Sequence, residues 1–331
     1  MRSMKYPKPF HSLHRRLLAG VALALAVGSA GLAQAETQLR IGYQKSSTLI
    51  TLLKSQGTLE RRLAGQDVKI SWHEFASGLP LLEALNVGNV DLSADVADTV
   101  PVFAQAAGAR LTYFAQETPS PAAQAIVVAT DSPLHGLADL KGKKVAVTKA
   151  AGSHYLLIAA LAKAGLSFAD IQPAYLTPAD GRAAFENGKV DAWVTWEPFL
   201  SGVQRQLKTR TLADGRGLAS YRRYYLASTP YAKAHPQILA TVFDALRESG
   251  AWLKSHPQEA ATVLGPLWGG MDSATVIQAN GKRSYEVRAV TPESLAEQQK
   301  IADAFHAEGL LPAKIDARDV EIWKPQENAG R

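Results

Sequence analysis

Short apolar runs alternate with small-residue loops and helical patterns along most of this chain. Val145–Thr148 is a β-branched run typical of a buried strand, and the small residues Ala150–Gly152 follow it as a turn. Apolar residues then recur at helical spacing (Leu156, Leu157, Ala160 and Leu161), and we expect Ser153 to be the N-cap of that helix. A strand that ends in such a loop and opens a helix directs free N–H groups at one spot, which suits an anion.

The same design occurs about one hundred residues earlier in the chain. Leu39–Gln44 predicts a strand that is followed by a polar loop and a helix. Residues 88–91 and 188–191 share a Gly-x-Val-Asp core, in which a helix ends at the glycine and a strand begins at the valine. Two copies of strand–helix–strand–helix–strand therefore predict two similar α/β lobes, each with a mainly parallel sheet flanked by helices.

Ligands of parallel α/β sheets bind beyond the carboxyl ends of the strands. If the two lobes face one another, six loops at such ends converge on one cleft. These loops are residues 44–47, 76–78, 95–99, 149–154, 177–181 and 195–198.

Changes in composition predict the domain boundaries. We expect residues 36–122 to form the first part of lobe 1, 123–229 to form lobe 2, and 230–331 to return to lobe 1 with C-terminal helices. Helical patterns at 238–254, 257–264 and 292–308 are expected to pack around the first lobe, with an irregular excursion near the cleft at 281–290.

The first 35 residues predict a cleaved signal peptide rather than part of the fold. A basic region is followed by an apolar run at 17–27 and by Ala33-Gln34-Ala35, a small-x-small cleavage pattern. The apolar run is short for a membrane span. We therefore expect an exported, periplasmic protein.

Removal of this segment changes the charge of the chain. It holds five of the 36 Lys and Arg residues and none of the 30 Asp and Glu residues, so the remainder carries 31 minus 30, or +1. A nucleic-acid partner is therefore not expected. The chain has no cysteine, and its eight histidines show no metal-binding spacing, so we expect no metal site and no cofactor.

A set of segments resembles one known family across nearly the whole chain after residue 36. The segments are residues 40–45, 82–88, 103–109, 137–146, 153–154, 175–185, 190–193, 196–198 and 225–227. In this order they are similar to the aliphatic-sulfonate-binding proteins of bacterial ABC importers, which have nitrate- and taurine-binding relatives. The resemblance implies a two-lobed type II periplasmic binding protein fold with the ligand cleft between its lobes.

The resemblance also implies a function and partners. The expected ligand is a small organic sulfonate, the expected partner is an ABC permease of the inner membrane, and the protein is expected to be a monomer without enzymatic activity. A taurine- or nitrate-binding protein of the same family remains an alternative. A two-lobed enzyme related to pyrimidine-precursor synthases is an alternative of a different class, although the sequence offers no evident pair of nucleophile and base.

Polar residues at the predicted strand ends are the candidates for ligand contact. Gln44 follows a buried strand, so its side chain needs a partner, which a ligand or a strand-end hydrogen bond would supply. Lys45 is expected to attract an anion from the rim of the cleft, because full desolvation of a lysine is costly. The pairs Ser77–Gly78 and Gly152–Ser153 are candidates for anion contact, and they would equally serve as ordinary helix caps.

The remaining candidates have clear structural alternatives. His154, in the first turn of a helix, either donates to a sulfonate oxygen or packs in the interior. Asp98, before Thr99, is expected to cap a helix, and it would otherwise bind a ligand ammonium. Trp196 is either an aromatic wall of the site or a core residue.

Glu197 is interpreted as closing the lobes through a hydrogen bond, as binding an amine, or as simple loop structure. Arg283 is a candidate for a charge-assisted contact with the ligand.

Three departures from the family pattern lie at the presumed cleft. The loop 93–99 is one residue longer and carries an additional carboxylate, Asp95. Ala150 and Ala151 replace a Gly/Ser-rich segment, and Arg283-Ser284 stands where an Arg-Pro pair is common. These departures affect the identity of the ligand rather than the fold.

Overall fold

A computed structural model describes residues 37–325 and Met4. The predicted signal peptide at 1–35 lies outside the described residues, apart from Met4. No helix in the described part of the chain is long and apolar enough to cross a membrane.

Strands and helices alternate along the first two thirds of the described chain, as the hydrophobic pattern predicts. The strands are β1 (Thr37–Gln44), β2 (Val68–Phe75), β3 (Leu92–Ala97), β4 (Leu111–Glu117), β5 (Gln124–Ala129), β6 (Lys144–Val147), β7 (Gln172–Tyr175), β8 (Ala192–Trp196), β9 (Thr209–Asp214), β10 (Arg223–Ser228), β11 (Val287–Arg288) and β12 (Glu321–Ile322).

Helices follow most of these strands and dominate the C-terminal third. They are α1 (Thr48–Ser55), α2 (Thr58–Leu63), α3 (Gly78–Asn86), α4 (Thr99–Ala106), α5 (Gly152–Lys163), α6 (Pro178–Glu186), α7 (Phe199–Gln206), α8 (Thr229–Ala234), α9 (Pro236–Ser255), α10 (Pro257–Leu267), α11 (Ser273–Gly281) and α12 (Ala296–Ala307).

Two separate sheets form the two lobes. The first has the strand order β11-β4-β10-β3-β1-β2, with β12 beside β4, and the second has the order β7-β6-β8-β5-β9. Pairs such as β1–β3 and β6–β8 are parallel, whereas β10 and β5 run antiparallel to their neighbours. The two-lobed α/β fold is thus confirmed, and the antiparallel strands lie where the chain crosses between lobes.

The exact domain boundaries stay a prediction. Strand β10, which precedes the expected boundary at residue 229, pairs with β3 and β4 in the first sheet. Helices α9 and α10 pack in the core of the first lobe, as expected. The last helix contacts both lobes: Phe305 of α12 packs edge-to-face on Phe103 of α4, whereas Ile301 and Ala302 are buried with apolar residues of the second sheet.

The two lobes touch at the N-terminus of α5. A β-carbon placed on Gly152 would lie 2.9 Å from the β-carbon of Ala97, the last residue of β3, and 2.6 Å from the ring of Tyr221. Such distances are shorter than van der Waals contact, so only glycine allows the lobes to approach this closely.

Replacement of Gly152 by alanine is therefore expected to separate the lobes and to lower the free energy of unfolding by about 1–3 kcal/mol, the usual cost of overpacking. Urea denaturation measures the stability, and small-angle scattering measures the radius of gyration. Gly65→Ala is the control, because a β-carbon there meets no atom within 4 Å. Equal behaviour of the two variants would contradict this close approach.

Candidate ligand-binding cleft

A buried network of charges underlies the cleft on the side of the first lobe. Arg283 donates to Glu117 at 2.7 Å and to Asp95 at 2.9 Å, and Arg223 donates to the same Asp95 oxygen. The four side chains are at most 3% exposed. Burial alone would lower the pKa of Arg283, but Glu117, Tyr285 and Asp95 together hold it well above its usual value. The network contains two cations and two anions and is neutral overall.

Strand β3 contains a bulge within the segment 93–99. The register between β3 and β10 shifts between the pairs Tyr224–Val96 and Leu226–Ser93, so two residues of β3 oppose one residue of β10. Asp95 is one of these two residues, and its side chain is fully buried. A bulge re-aims a side chain, and here the re-aimed carboxylate meets the two arginines.

Arg283 therefore connects segments within the first lobe, and its charge is compensated rather than free for a ligand. Its Nη1 donates to the carbonyl of Ser46 at 3.0 Å and to Thr48, while Nη2 bonds the two carboxylates. Only Nε lacks a partner among the described residues.

Buried hydroxyl and amide groups at the strand ends lack hydrogen-bond partners. Thr99 begins α4, Gln124 begins β5, Ser153 lies in the first turn of α5, and Thr195 lies near the end of β8. All four residues are 0% exposed. Their side-chain hydrogen-bonding atoms have no partner in residues 37–325. A buried polar group without a partner is unfavourable by about 1–3 kcal/mol, so this group of residues is suited to a ligand.

Two of these residues lie on neighbouring strands of the second sheet, next to Trp196. Gln124 pairs with Trp196 across the β5–β8 ladder, and Ala125 pairs with Thr195. Trp196 is 4% exposed and packs edge-to-face with Phe199. It belongs to an apolar cluster that also contains Ala97 of the first lobe. Trp196 thus lies at the interface of the lobes, whereas Trp193 is a core residue as expected.

Two of these residues were not selected from the sequence. The pattern of loops at strand ends indicates Thr195 only as part of the predicted loop 195–198, and it does not include Gln124. The sequence does contain a feature that indicates Gln124. It is a polar residue directly beside the apolar run 125–128, just as Gln44 is a polar residue at the end of β1.

The predicted contact residues of the first lobe differ in their exposure. Gln44 is 5% exposed, and its amide donates to the carbonyl of Asp95 at 3.3 Å. Lys45 is exposed, beside Gly269, which suits attraction of an anion from the rim. Ser77 is half-buried at the N-cap position of α3, and a β-carbon on Gly78 would lie 2.9 Å from Val100.

Helix α5 begins two residues before the expected position. Ala151 occupies the N-cap position, and Gly152 and Ser153 are inside the first turn. The expectation that Ser153 caps this helix is therefore wrong, because its hydroxyl makes no hydrogen bond within residues 37–325. That hydroxyl is free to bind a ligand.

His154 packs in an aromatic cluster with Phe168, Tyr175 and Phe305 at ring-centroid distances of 4.9–5.6 Å. Its Nδ1 accepts a hydrogen bond from the backbone N–H of Ala150 at 3.2 Å. Burial, rather than the helix dipole, lowers the pKa of His154 to about 3, so the ring is neutral at physiological pH.

Asp98 caps α4, as expected. Its carboxylate accepts from the backbone N–H of Thr99 at 3.1 Å and of Arg222 at 2.9 Å. Burial raises the pKa of Asp98 to about 7, although these two hydrogen bonds stabilise the charged form.

Glu197 connects the two lobes. It forms an ion pair with Lys282 at 2.7 Å and accepts hydrogen bonds from the backbone N–H and the hydroxyl of Ser201. Lys282 follows α11, which packs against α10 of the first lobe and also against α7 of the second, whereas Glu197 precedes α7. Lys282 also donates to Gln204 of α7 at 3.0 Å. Of the three interpretations of Glu197, closure of the lobes agrees best with these contacts.

No group of three or more histidine, aspartate or glutamate side chains in residues 37–325 is arranged to hold a metal ion.

Residues 64–260 match the family model described as "NMT1/THI5 like". The chain is 43% identical over 293 residues to the putative aliphatic sulfonates-binding protein of Escherichia coli, covering 88% of this chain and 91% of that protein. It is 30% identical over 307 residues to the protein of the same description from Bacillus subtilis, covering 92% and 90%.

Two solved structures are similar as well. The crystal structure of the periplasmic aliphatic sulphonate binding protein SsuA from Escherichia coli has a TM-score of 0.79 at 43% identity, covering 89% of this chain and 94% of that one. The alkanesulfonate-binding protein SsuA from Xanthomonas axonopodis pv. citri, bound to MOPS, has a TM-score of 0.81 at 39% identity, covering 87% and 98%.

The raised pKa of Asp98 predicts a pH dependence of stability. A folded pKa near 7 against 3.8 in the unfolded chain gives stability that is fully present below pH 3.8 and is lost as the pH rises to 7. Relative to Asp98→Asn, the wild-type free energy of unfolding should fall by up to about 1.4 kcal/mol per pH unit in this window. Urea denaturation of both proteins at pH 4–8 measures the difference. Parallel curves would show that Asp98 does not titrate in this way.

The contact between Glu197 and Lys282 predicts an energetic coupling. In a double-mutant cycle with Glu197→Gln and Lys282→Met, the free energies of unfolding should show a coupling of about 1–3 kcal/mol, because Glu197 is buried. Arg205→Met is the control, since its pair with Asp272 is 3.9 Å long and exposed and should contribute little. Strictly additive effects of the two substitutions would contradict an energetic coupling between Glu197 and Lys282.

Proposed function

This chain belongs to the NMT1/THI5-like family, and we propose that it is the periplasmic substrate-binding protein of an ABC importer for aliphatic sulfonates. The resemblance seen in the sequence is confirmed by two relatives that are described as aliphatic sulfonates-binding proteins and are at least 30% identical to the chain. The residues that bind the ligand, the substrate itself and the route of export are parts of the proposal.

The observation that carries the proposal is the set of buried donors without partners at the cleft. A sulfonate has three oxygens that accept hydrogen bonds and no donor. Ser153, Thr99 and Thr195 each offer a hydroxyl, and Gln124 offers an amide N–H. Closure of the lobes would replace the hydration of the anion by these fixed donors.

The chemistry of the donors also explains why the site suits a singly charged anion. The charges of Arg283 and Arg223 are compensated by Asp95 and Glu117, so neutral donors remain for the ligand. Lys45, exposed at the rim, attracts the anion without being desolvated. Gln44, Ser77, Gly78 and Gly152 complete the proposed set of contacts.

The wall at Trp196 favours an organic sulfonate over nitrate. Its ring provides an apolar surface that the alkyl part of a sulfonate would cover. Nitrate has no apolar part and would leave this surface uncovered. Taurine is disfavoured because the acidic residues near the cleft already interact with other groups of the protein. Glu197 is paired with Lys282, and Asp98 accepts from two backbone N–H groups. Asp95 keeps one oxygen without a partner among the described residues, but it lies against two arginines, whose charges would repel an ammonium.

An enzyme is the alternative from a different class. Ser153 and His154 would be the obvious nucleophile and base. The Nδ1 of His154 is occupied by a backbone N–H, and its ring packs among aromatic side chains. A general base must reach the proton that it removes, and this arrangement supports binding rather than catalysis.

We further propose that residues 1–35 direct export and are cleaved, and that the closed monomer docks on its permease. Delivery of a small molecule to a membrane permease agrees with the family. Purification of the exported protein followed by N-terminal sequencing and mass measurement tests the cleavage and the monomeric state.

The ligand is tested by calorimetric titration of the exported protein with short and long alkanesulfonates, taurine, nitrate and sulfate. Alkanesulfonates should bind best. Gln124→Leu and Thr195→Val should each weaken binding by roughly 10-fold or more, since each removes a hydrogen bond to a charged group worth about 1.5–3 kcal/mol.

Thr209→Val is the matched control. The hydroxyl of Thr209 also lacks a partner in the described chain, but Thr209 lies at the far end of β9, opposite Ala129 rather than Gln124. Binding should be unchanged in this variant. Preference for taurine or nitrate, or equal effects of all three substitutions, would overturn the proposed ligand or the proposed site.

A further inference from the structure

A second cavity lies at the edge of the first sheet opposite the cleft. Its volume is about 500 Å³, and its walls include Arg40, Asp91, Arg110, Ser228 and Tyr231. Arg40 lies four residues before the carboxyl end of β1, and Asp91 directly precedes β3, whose carboxyl end faces the cleft. The cavity is therefore separated from the cleft by the length of these strands.

Arg40 and Asp91 form a fixed pair in this cavity. Arg40 donates to Asp91 from Nε at 2.9 Å and from Nη2 at 2.6 Å, and its Nη1 donates to the carbonyl of Gly88 at 2.6 Å. A guanidinium has five N–H groups, so two remain. The carboxylate of Asp91 also accepts the backbone N–H of Arg40, and its bonding capacity is largely used.

Arg110 supplies a charge without a partner. Its side chain is exposed and makes no ion pair or hydrogen bond within residues 37–325. Its backbone carbonyl accepts from Thr229 at 3.3 Å, which holds this residue beside the end of β10. The two guanidinium groups and the one carboxylate give the cavity a net charge of +1.

Tyr231 supplies a buried donor. The residue is 8% exposed, and its hydroxyl has no hydrogen-bond partner in the described part of the chain. Burial, together with the charge of Asp91, raises the pKa of Tyr231, so the hydroxyl keeps its proton. Tyr231 lines the same cavity as Arg40 and Asp91.

We propose that this cavity is a second binding site, which takes a small oxyanion independently of the sulfonate cleft. Arg110 and the two spare N–H groups of Arg40 would bind its oxygens, and the hydroxyl of Tyr231 would donate one further bond. Planar guanidinium groups match the geometry of sulfate, phosphate and carboxylate groups. The site would therefore accept either an inorganic ion or the acid group of an organic molecule.

The test uses inorganic sulfate, phosphate and succinate as probes, titrated into the exported protein and followed by the NMR shifts of backbone amides. Shifts at residues 88, 110 and 229 are expected. Tyr231→Phe and Arg110→Gln should each weaken binding by about fivefold or more, whereas Arg216→Gln, an exposed arginine of the second lobe, should not. The tetrahedral ions and succinate distinguish an inorganic ligand from an organic acid.

A stability measurement excludes a merely structural role of the tyrosine. Because its hydroxyl has no partner in the described chain, Tyr231→Phe should leave the melting temperature without anion unchanged or higher. The cleft variant Thr195→Val should retain the shifts, so the test does not depend on whether a sulfonate binds. Shifts confined to the cleft, loss of binding in Thr195→Val, or no shift with any of the three probes would overturn the second site.

Discussion

The buried network of Asp95, Glu117, Arg223 and Arg283 is the constraint on which the first lobe depends. Each charge has lost its hydration, and only the opposite charges and the hydrogen bonds within the network compensate for this. Arg283 comes from the segment after α11, Arg223 from β10 and Glu117 from β4, so these segments have one mutual arrangement in which all charges are paired. The ends of β3 and β4 and the loop after β1 are fixed by the same contacts.

This network also determines the chemistry of the cleft. Through the carbonyl of Asp95 it orients Gln44, and through Ser46 it holds the loop between β1 and α1. Because the arginines are neutralised within the network, the groups that remain for a ligand are hydroxyls and amides. Such donors bind an anion without the cost of desolvating a free lysine or arginine, and they release it more easily. A transport protein must do both.

The sequence predicts the architecture better than the site. Strands ending in small-residue loops, with Gly88 and Gly188 at equivalent positions, are local signals, and they specified the two lobes correctly. The partners of Arg283 could not be predicted, since Asp95 and Glu117 are 188 and 166 residues away and meet it only through a bulge and a crossover. The N-cap of α5 could not be predicted for a related reason, because the start of this helix packs closely against Ala97 and Tyr221, which are distant from it in sequence.

Closure of the lobes must remain reversible if the ligand is to be released. The contact at Gly152 is steric and has no tolerance for a side chain, whereas the contact of Lys282 with Glu197 is an ion pair whose lysine is 24% exposed. Water can therefore replace Glu197 at Lys282 when the lobes separate, at a modest cost. The aromatic packing of Phe305 on His154 and Phe103 keeps α12 in contact with helices of both lobes. The ion pair is therefore suited to an edge of the cleft that opens. The apolar contacts of α12 are suited to an edge at which the lobes stay in contact.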